Sequence, residues 1–85
     1  MQRMVASVGH GGLNRTEDVQ LVQALLNRHL QAPHRPLAVD GVMSPRTISA
    51  IVNFQRRVLH LAHPDGLLQP GDRTMLALAG QITPP

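Results

Sequence analysis

An all-α domain of three short helices is the fold the sequence predicts, and three observations carry that prediction. Two stretches, from Asn14 to Leu30 and from Pro45 to Leu59, place aliphatic residues at helical spacing. A turn followed by a helix start is spelled twice, as "VDGVMSPRT" from Val39 and "PDGLLQPGDRT" from Pro64, with Asp40-Gly41 and Asp65-Gly66 25 residues apart. Hydrophobic residues make up 42% of the 85, ordinary for a folded domain, and Phe54 is the only aromatic among them.

The first segment, residues 1–13, is Gly-rich and reads as a loop packed against the body of the domain. Its Gly9, Gly11 and Gly12 lack the preceding strand and following Lys-Ser/Thr that a phosphate cradle needs. The domain proper spans residues 14–80. Asn14 is placed to cap the first helix, with Glu17 completing a capping box and Asp18 beside it at the positive end of the helix dipole. Val19, Val22, Leu26 and Leu30 form its apolar stripe, widened by Leu25, and two prolines in "QAPHRPL" end it near His29 or Leu30.

Leu37–Gly41 reads as a short extended piece closing in a turn. Ser44 then caps and Pro45 opens a second helix reaching Val58 or Leu59, where a Pro costs no hydrogen bond. Ile48, Ile51, Val52, Phe54, Val58 and Leu59 give it a broad buried side. The second Asp-Gly, with Pro70 as helix start, launches a third helix through Met75, Leu76, Leu78 and Ala79, stopped at Gly80. Residues 81–85 read as a flexible tail.

Composition narrows the function. No Cys is present, so neither disulfides nor thiolate–metal sites arise. No apolar run nears the roughly 18 residues of a membrane span, and the N-terminus lacks the features of a cleavable signal peptide. The formal charge of +3 comes from eight basic residues, all Arg, against five acids. Capping or turn duties account for most of the acids, and no nucleophile–base pair is spelled, so the chain is expected not to be an enzyme. His60 and His63 share i, i+3 spacing, but His63 precedes a Pro and no third ligand accompanies them. Neither a metal nor another cofactor is expected.

The ordered series of short patterns resembles the three-helix peptidoglycan-binding domains found beside bacterial cell-wall hydrolases. "VQALLN" (Val22 to Asn27) is similar to the family's first helix. "VDGVMSPRTISAIVNFQRRV" keeps Asp40, Gly41, Thr47, Ala50, Ile51, Phe54 and Gln55 in step with its second. The later "PDGLLQPGDRT" is similar to a longer variant with a Pro-Asp-Gly turn before the last helix, carried also by toxins of contractile secretion systems. Ser44 stands where the family usually has Gly.

The resemblance implies a non-catalytic module that brings a linked or associated cell-wall hydrolase, or a secreted toxin, to peptidoglycan in the periplasm or cell wall. Export would then proceed without a visible signal peptide, or as part of a longer exported protein. Asp40, Gly41 and Thr47 are expected to organise the turn, and Gln23 and Gln55 to bond loop backbone. The expected ligand surface is the groove between the Asp40–Arg46 turn and the first helix, with Asn27, Arg28, Asp40 and Arg46 as contacts. Lacking Trp and Tyr, such a surface has to rely on hydrogen bonds and Arg–carboxylate contacts to the peptide stems. Two other classes fit the residues. One is a protein-interaction adaptor of the same fold without glycan affinity. The other is a DNA-binding domain using Arg46, Asn53 and Arg57 on one face of the second helix, although no basic tract supports it.

Overall fold

The computed structural model describes residues 3–30 and 35–80. Three helices appear among them: α1 (Thr16–His29), α2 (Pro45–Arg57) and α3 (Arg73–Leu78). A two-residue strand, β1 (Val8–Gly9), precedes α1, and another, β2 (Leu67–Leu68), precedes α3. They pair antiparallel, Val8 opposite Leu68 and Gly9 opposite Leu67. This small ribbon joins an otherwise helical fold and was not foreseen from the sequence, because two residues are too few to show alternation.

The predicted apolar stripes face one core. Val19, Val22 and Ile51 are inaccessible to solvent, and Leu26, Phe54 and Leu59 nearly so. Val8 and Leu68 close the core from the ribbon side, both with zero exposure. The Gly-rich segment is therefore tied into the body by its own side chains as well as by pairing.

Asn14 does not cap α1, contrary to expectation. The N-cap is Arg15, with no side-chain cap bond. Asn14 instead adopts φ 56, a left-handed conformation that Asn enters more easily than most residues. Its Oδ1 accepts from the Gly9 N–H at 2.8 Å, and its Nδ2 donates to the carbonyls of Gly9 and Gly12. Asp18 also does more than sit in the first turn. It is 3% exposed and accepts from the N–H groups of Val5 and Ala6 at 2.9 and 3.0 Å. Gly9 and Gly12 of the preceding segment thus engage the Asn14 side chain that a capping box would use.

Helix α1 ends at His29, with Leu30 already extended; of the prolines expected to end it, Pro33 lies outside the described residues. Ser44 caps α2 in an extended conformation, φ −131, accepting from Thr47 N–H, so this position does not require Gly. After Arg57, His60 takes φ 56 and Leu61 N–H reaches back to the Gln55 carbonyl at 3.0 Å, a left-handed helix stop. The third start differs from expectation. Pro70 lies in a turn, and Asp72 caps α3 by accepting from Met75 N–H at 2.8 Å. The same carboxylate accepts from Gln69 N–H, which folds the Gln69–Asp72 turn onto the helix start. The tail expected at residues 81–85 lies outside the described residues.

Candidate functional site

The two Asp-Gly turns are each held by a buried glutamine from the preceding helix. Gln23, 1% exposed, accepts at Oε1 from the N–H groups of Asp40 and Gly41 at 3.1 and 3.0 Å. Its Nε2 donates to Asp40 Oδ1, the Val42 carbonyl and Thr47 Oγ1 at 3.1–3.3 Å. Gln55, also 1% exposed, repeats the arrangement one helix later. It accepts from Gly66 N–H and donates to Asp65 Oδ1, the Leu67 carbonyl and Thr74 Oγ1. Among the described residues no buried side-chain polar atom lacks a partner.

These bonds also set the charge of the turns. The Val42 N–H and then the Gln23 amide hold the Asp40 carboxyl below its ordinary 3.8. The Gln55 amide does the same for Asp65 against a burial penalty, with further help from the Leu67 N–H. The expected structural role of both glutamines is what the geometry displays.

Of the residues expected at the ligand surface, Asn27 and Asp40 are engaged within the fold. Asn27 holds Leu37 by two bonds, accepting from its N–H at 2.7 Å and donating to its carbonyl at 3.0 Å. Asp40 accepts from Gln23 and from Val42 N–H. Arg46 is exposed and donates to the Arg35 carbonyl at 2.7 Å, pinning the loop before the turn. Arg28 is exposed and lines a cleft of about 280 Å³ between the last turns of α1 and α2.

The floor of that cleft includes Leu26 and Phe54, and its rim carries Arg28, His29, Asn53 and Arg57. The four rim residues come from helical geometry: Arg28 and His29 end α1, while Asn53 and Arg57 are one turn apart on α2. His29 stands edge-on to Phe54, centroids 4.9 Å apart at 70°, with Nε2 3.4 Å from the Leu78 carbonyl. The single aromatic face is thus covered, being 5% exposed, and offers no platform for a sugar ring. Two guanidiniums beside a carboxamide instead suit a carboxylate, which Arg can engage by two parallel hydrogen bonds.

His29 in this cleft escaped the sequence reading, because a lone His at a helix end carries no distinguishing pattern. Asn53 and Arg57 were legible as a polar face of α2, but their neighbour across the cleft was not. His60 and His63 are both exposed, and among the described residues no group of three or more His, Cys, Asp or Glu gathers as a metal site would require. No described helix is long and apolar enough to cross a membrane.

Comparison with known proteins adds one finding. The family model described as "Putative peptidoglycan binding domain" matches residues 15–77, about three quarters of the chain. No curated protein and no solved structure gives a significant match. The match runs from the N-cap of α1 into α3 and takes in both glutamine-held turns. With three helices in the expected order and that coverage, the chain belongs to the peptidoglycan-binding domain family.

Proposed function

We propose that this domain binds peptidoglycan through the cleft between the ends of α1 and α2, taking a carboxylate of the peptide stem between Arg28 and Arg57. The observation that carries the reading is the pairing of two exposed guanidiniums over an apolar floor whose single aromatic is covered. Stem peptides of peptidoglycan present carboxylates and small apolar side chains, whereas its glycan presents uncharged faces that favour open aromatic rings. Asn53 adds a donor and an acceptor for stem amides. Arg46 contributes a further guanidinium at the loop margin, and Asn27 and Asp40 act by fixing that loop.

The module is non-catalytic and works by retention, holding a linked or associated wall hydrolase or secreted toxin at the periplasmic or cell-wall face of its substrate. Four of its five acids are engaged by backbone or glutamine amides, which supports a binding rather than a proton-transfer role. Co-sedimentation with purified sacculi tests this. The native domain should pellet and be displaced by soluble muropeptides. Arg28→Glu and Arg57→Glu should each weaken pelleting about tenfold, the scale of one lost charge-assisted contact. Pelleting that survives enzymatic removal of the stems would move recognition to the glycan, and failure of the native domain to pellet would end the proposal.

A further inference from the structure

A second surface, distinct in chemistry from the first, lies on the other side of Arg28. It is a groove of about 710 Å³ between the N-terminal segment, the outer side of α1 and α3. That size falls within the range of well-formed ligand pockets, roughly 300–1,000 Å³. Its walls include Met4, Leu21, Leu25, Met75 and Leu76. The leucines are half-buried and supply the groove's accessible apolar surface, while Met4 and Met75 are buried beneath it as part of the core.

Its charged liners are Arg3 and Arg28, with no acid. Hydrogen bonding sets the segments that carry them apart along α1. The N–H groups of Val5 and Ala6 are anchored on Asp18 in the first turn of α1, which brings Arg3 to the N-terminal half of that helix. Leu21, Leu25 and Arg28 follow one another along a single helix face, and Arg28 stands in the last turn. At 1.5 Å per residue the trough from Leu21 to Arg28 is about 10 Å long.

We infer that this groove docks a polypeptide segment of a partner protein in which apolar side chains are bracketed on both sides by acidic ones. Positive charge at both ends selects against a single-headed amphiphile, whose tail would finish against the second guanidinium. A second copy of this chain is a poor occupant. Each copy carries +3, and Asp18, Asp40, Asp65 and Asp72 are all engaged internally, leaving Glu17 alone. Arg28 lines both surfaces, but the inference does not rest on wall binding: Arg3 takes no part in the Arg57 cleft, and Arg57 takes none in this groove.

The test uses a fluorescent synthetic nonapeptide with four leucines around a central alanine and two acidic residues at each end. Fluorescence anisotropy should show saturable binding that weakens with added salt. Arg3→Glu, an exposed position, should reduce affinity at least tenfold while leaving the helical circular dichroism and sacculus pelleting unchanged. Leu25→Ser should reduce it by a similar factor, and a peptide with lysine in place of each acid should not bind. Equal binding of the acidic and basic peptides, or no binding of either, overturns the inference. So does saturable binding to anionic phosphatidylglycerol vesicles without peptide binding. Dimerisation that Leu25→Ser abolishes, seen by sedimentation, would overturn it in favour of a second copy.

Discussion

The turn at Asp40-Gly41 and the turn at Asp65-Gly66 use the same four residue types and reach different ends. In the first, Gln23 receives two backbone N–H groups and the chain passes within four residues to the Ser44 cap. In the second, Gln55 receives one, and the Asp72 cap comes seven residues after Asp65. The added length holds β2, whose pairing with β1 brings in the N-terminal segment, and Gly66 itself accepts from His10 N–H at 2.9 Å. One knot joins helix to helix; the other joins helix to helix and to a strand. A buried amide can thus set a turn's start while leaving its exit free to vary.

The largest expected effect separates the glutamines. Gln23→Leu strands two N–H groups and a carbonyl, while Thr47 Oγ1 keeps the Ser44 hydroxyl, and should destabilise the domain by about 3–5 kcal/mol, summed from the usual cost of unsatisfied buried groups. Gln55→Leu strands one N–H fewer and should cost about 1 kcal/mol less. Urea denaturation measures both, and equal losses would show the two glutamines to hold their turns equally.

The glycines sharpen it further. Both have positive φ, +74 at Gly41 and +68 at Gly66. A Cβ on Gly41 would sit 2.5 Å from Thr16 Cγ2 and 2.9 Å from the Thr16 carbonyl, so backbone blocks it. A Cβ on Gly66 would meet side chains alone, methyl groups of Val52 and Ile48 at 3.2 and 3.3 Å and His10 Cβ at 3.8 Å. Gly41→Ala should therefore cost about 2–3 kcal/mol and Gly66→Ala about 1–2, the latter close to the strain of a left-handed alanine alone. Thermal melts that reverse this order would show that the first turn can move away from α1.

The two knots should respond to acid in the same direction. Asp40 and Asp65 are held below their ordinary 3.8, so the unfolded chain binds protons more readily than the folded one in that range. Their stabilisation is present above about pH 4 and is lost as pH falls through the lowered folded values. Asp65→Asn and Asp40→Asn should each be less stable at neutral pH and lose less on acidification than the native domain. Parallel acid limbs in variant and native protein would refute the linkage. Smallest of all, Arg46→Glu should change stability by no more than about 0.5 kcal/mol, because an exposed side chain bonded to one carbonyl contributes little.

The sequence disclosed what depends on near neighbours. The end of α1, the extent of α2, the Ser44 cap and the burial of Leu26, Ile51 and Phe54 follow from spacing and capping chemistry. What it hid depends on distant ones. Asn14 and Asp18 carry helix-start chemistry, yet their acceptor oxygens are claimed by the N–H groups of Val5, Ala6 and Gly9, which no local rule anticipates. Pro70 looked like a helix start because Asp72, the real cap, lies only two residues on. The cleft needed Arg28 and Arg57 to come from separate helices, so periodicity could display each half of its rim and not their meeting.

Helix α2 holds Thr47 of the first knot at its start and Gln55 of the second two turns later, about 12 Å along its axis. It closes one turn and opens the next, which makes it a common rivet. Neither turn can open by itself without loosening the helix on which the other depends. The protein should melt as one unit with no detached third helix. Amide exchange at Gly41 and at Gly66 should then proceed only through global opening and at matching free energies.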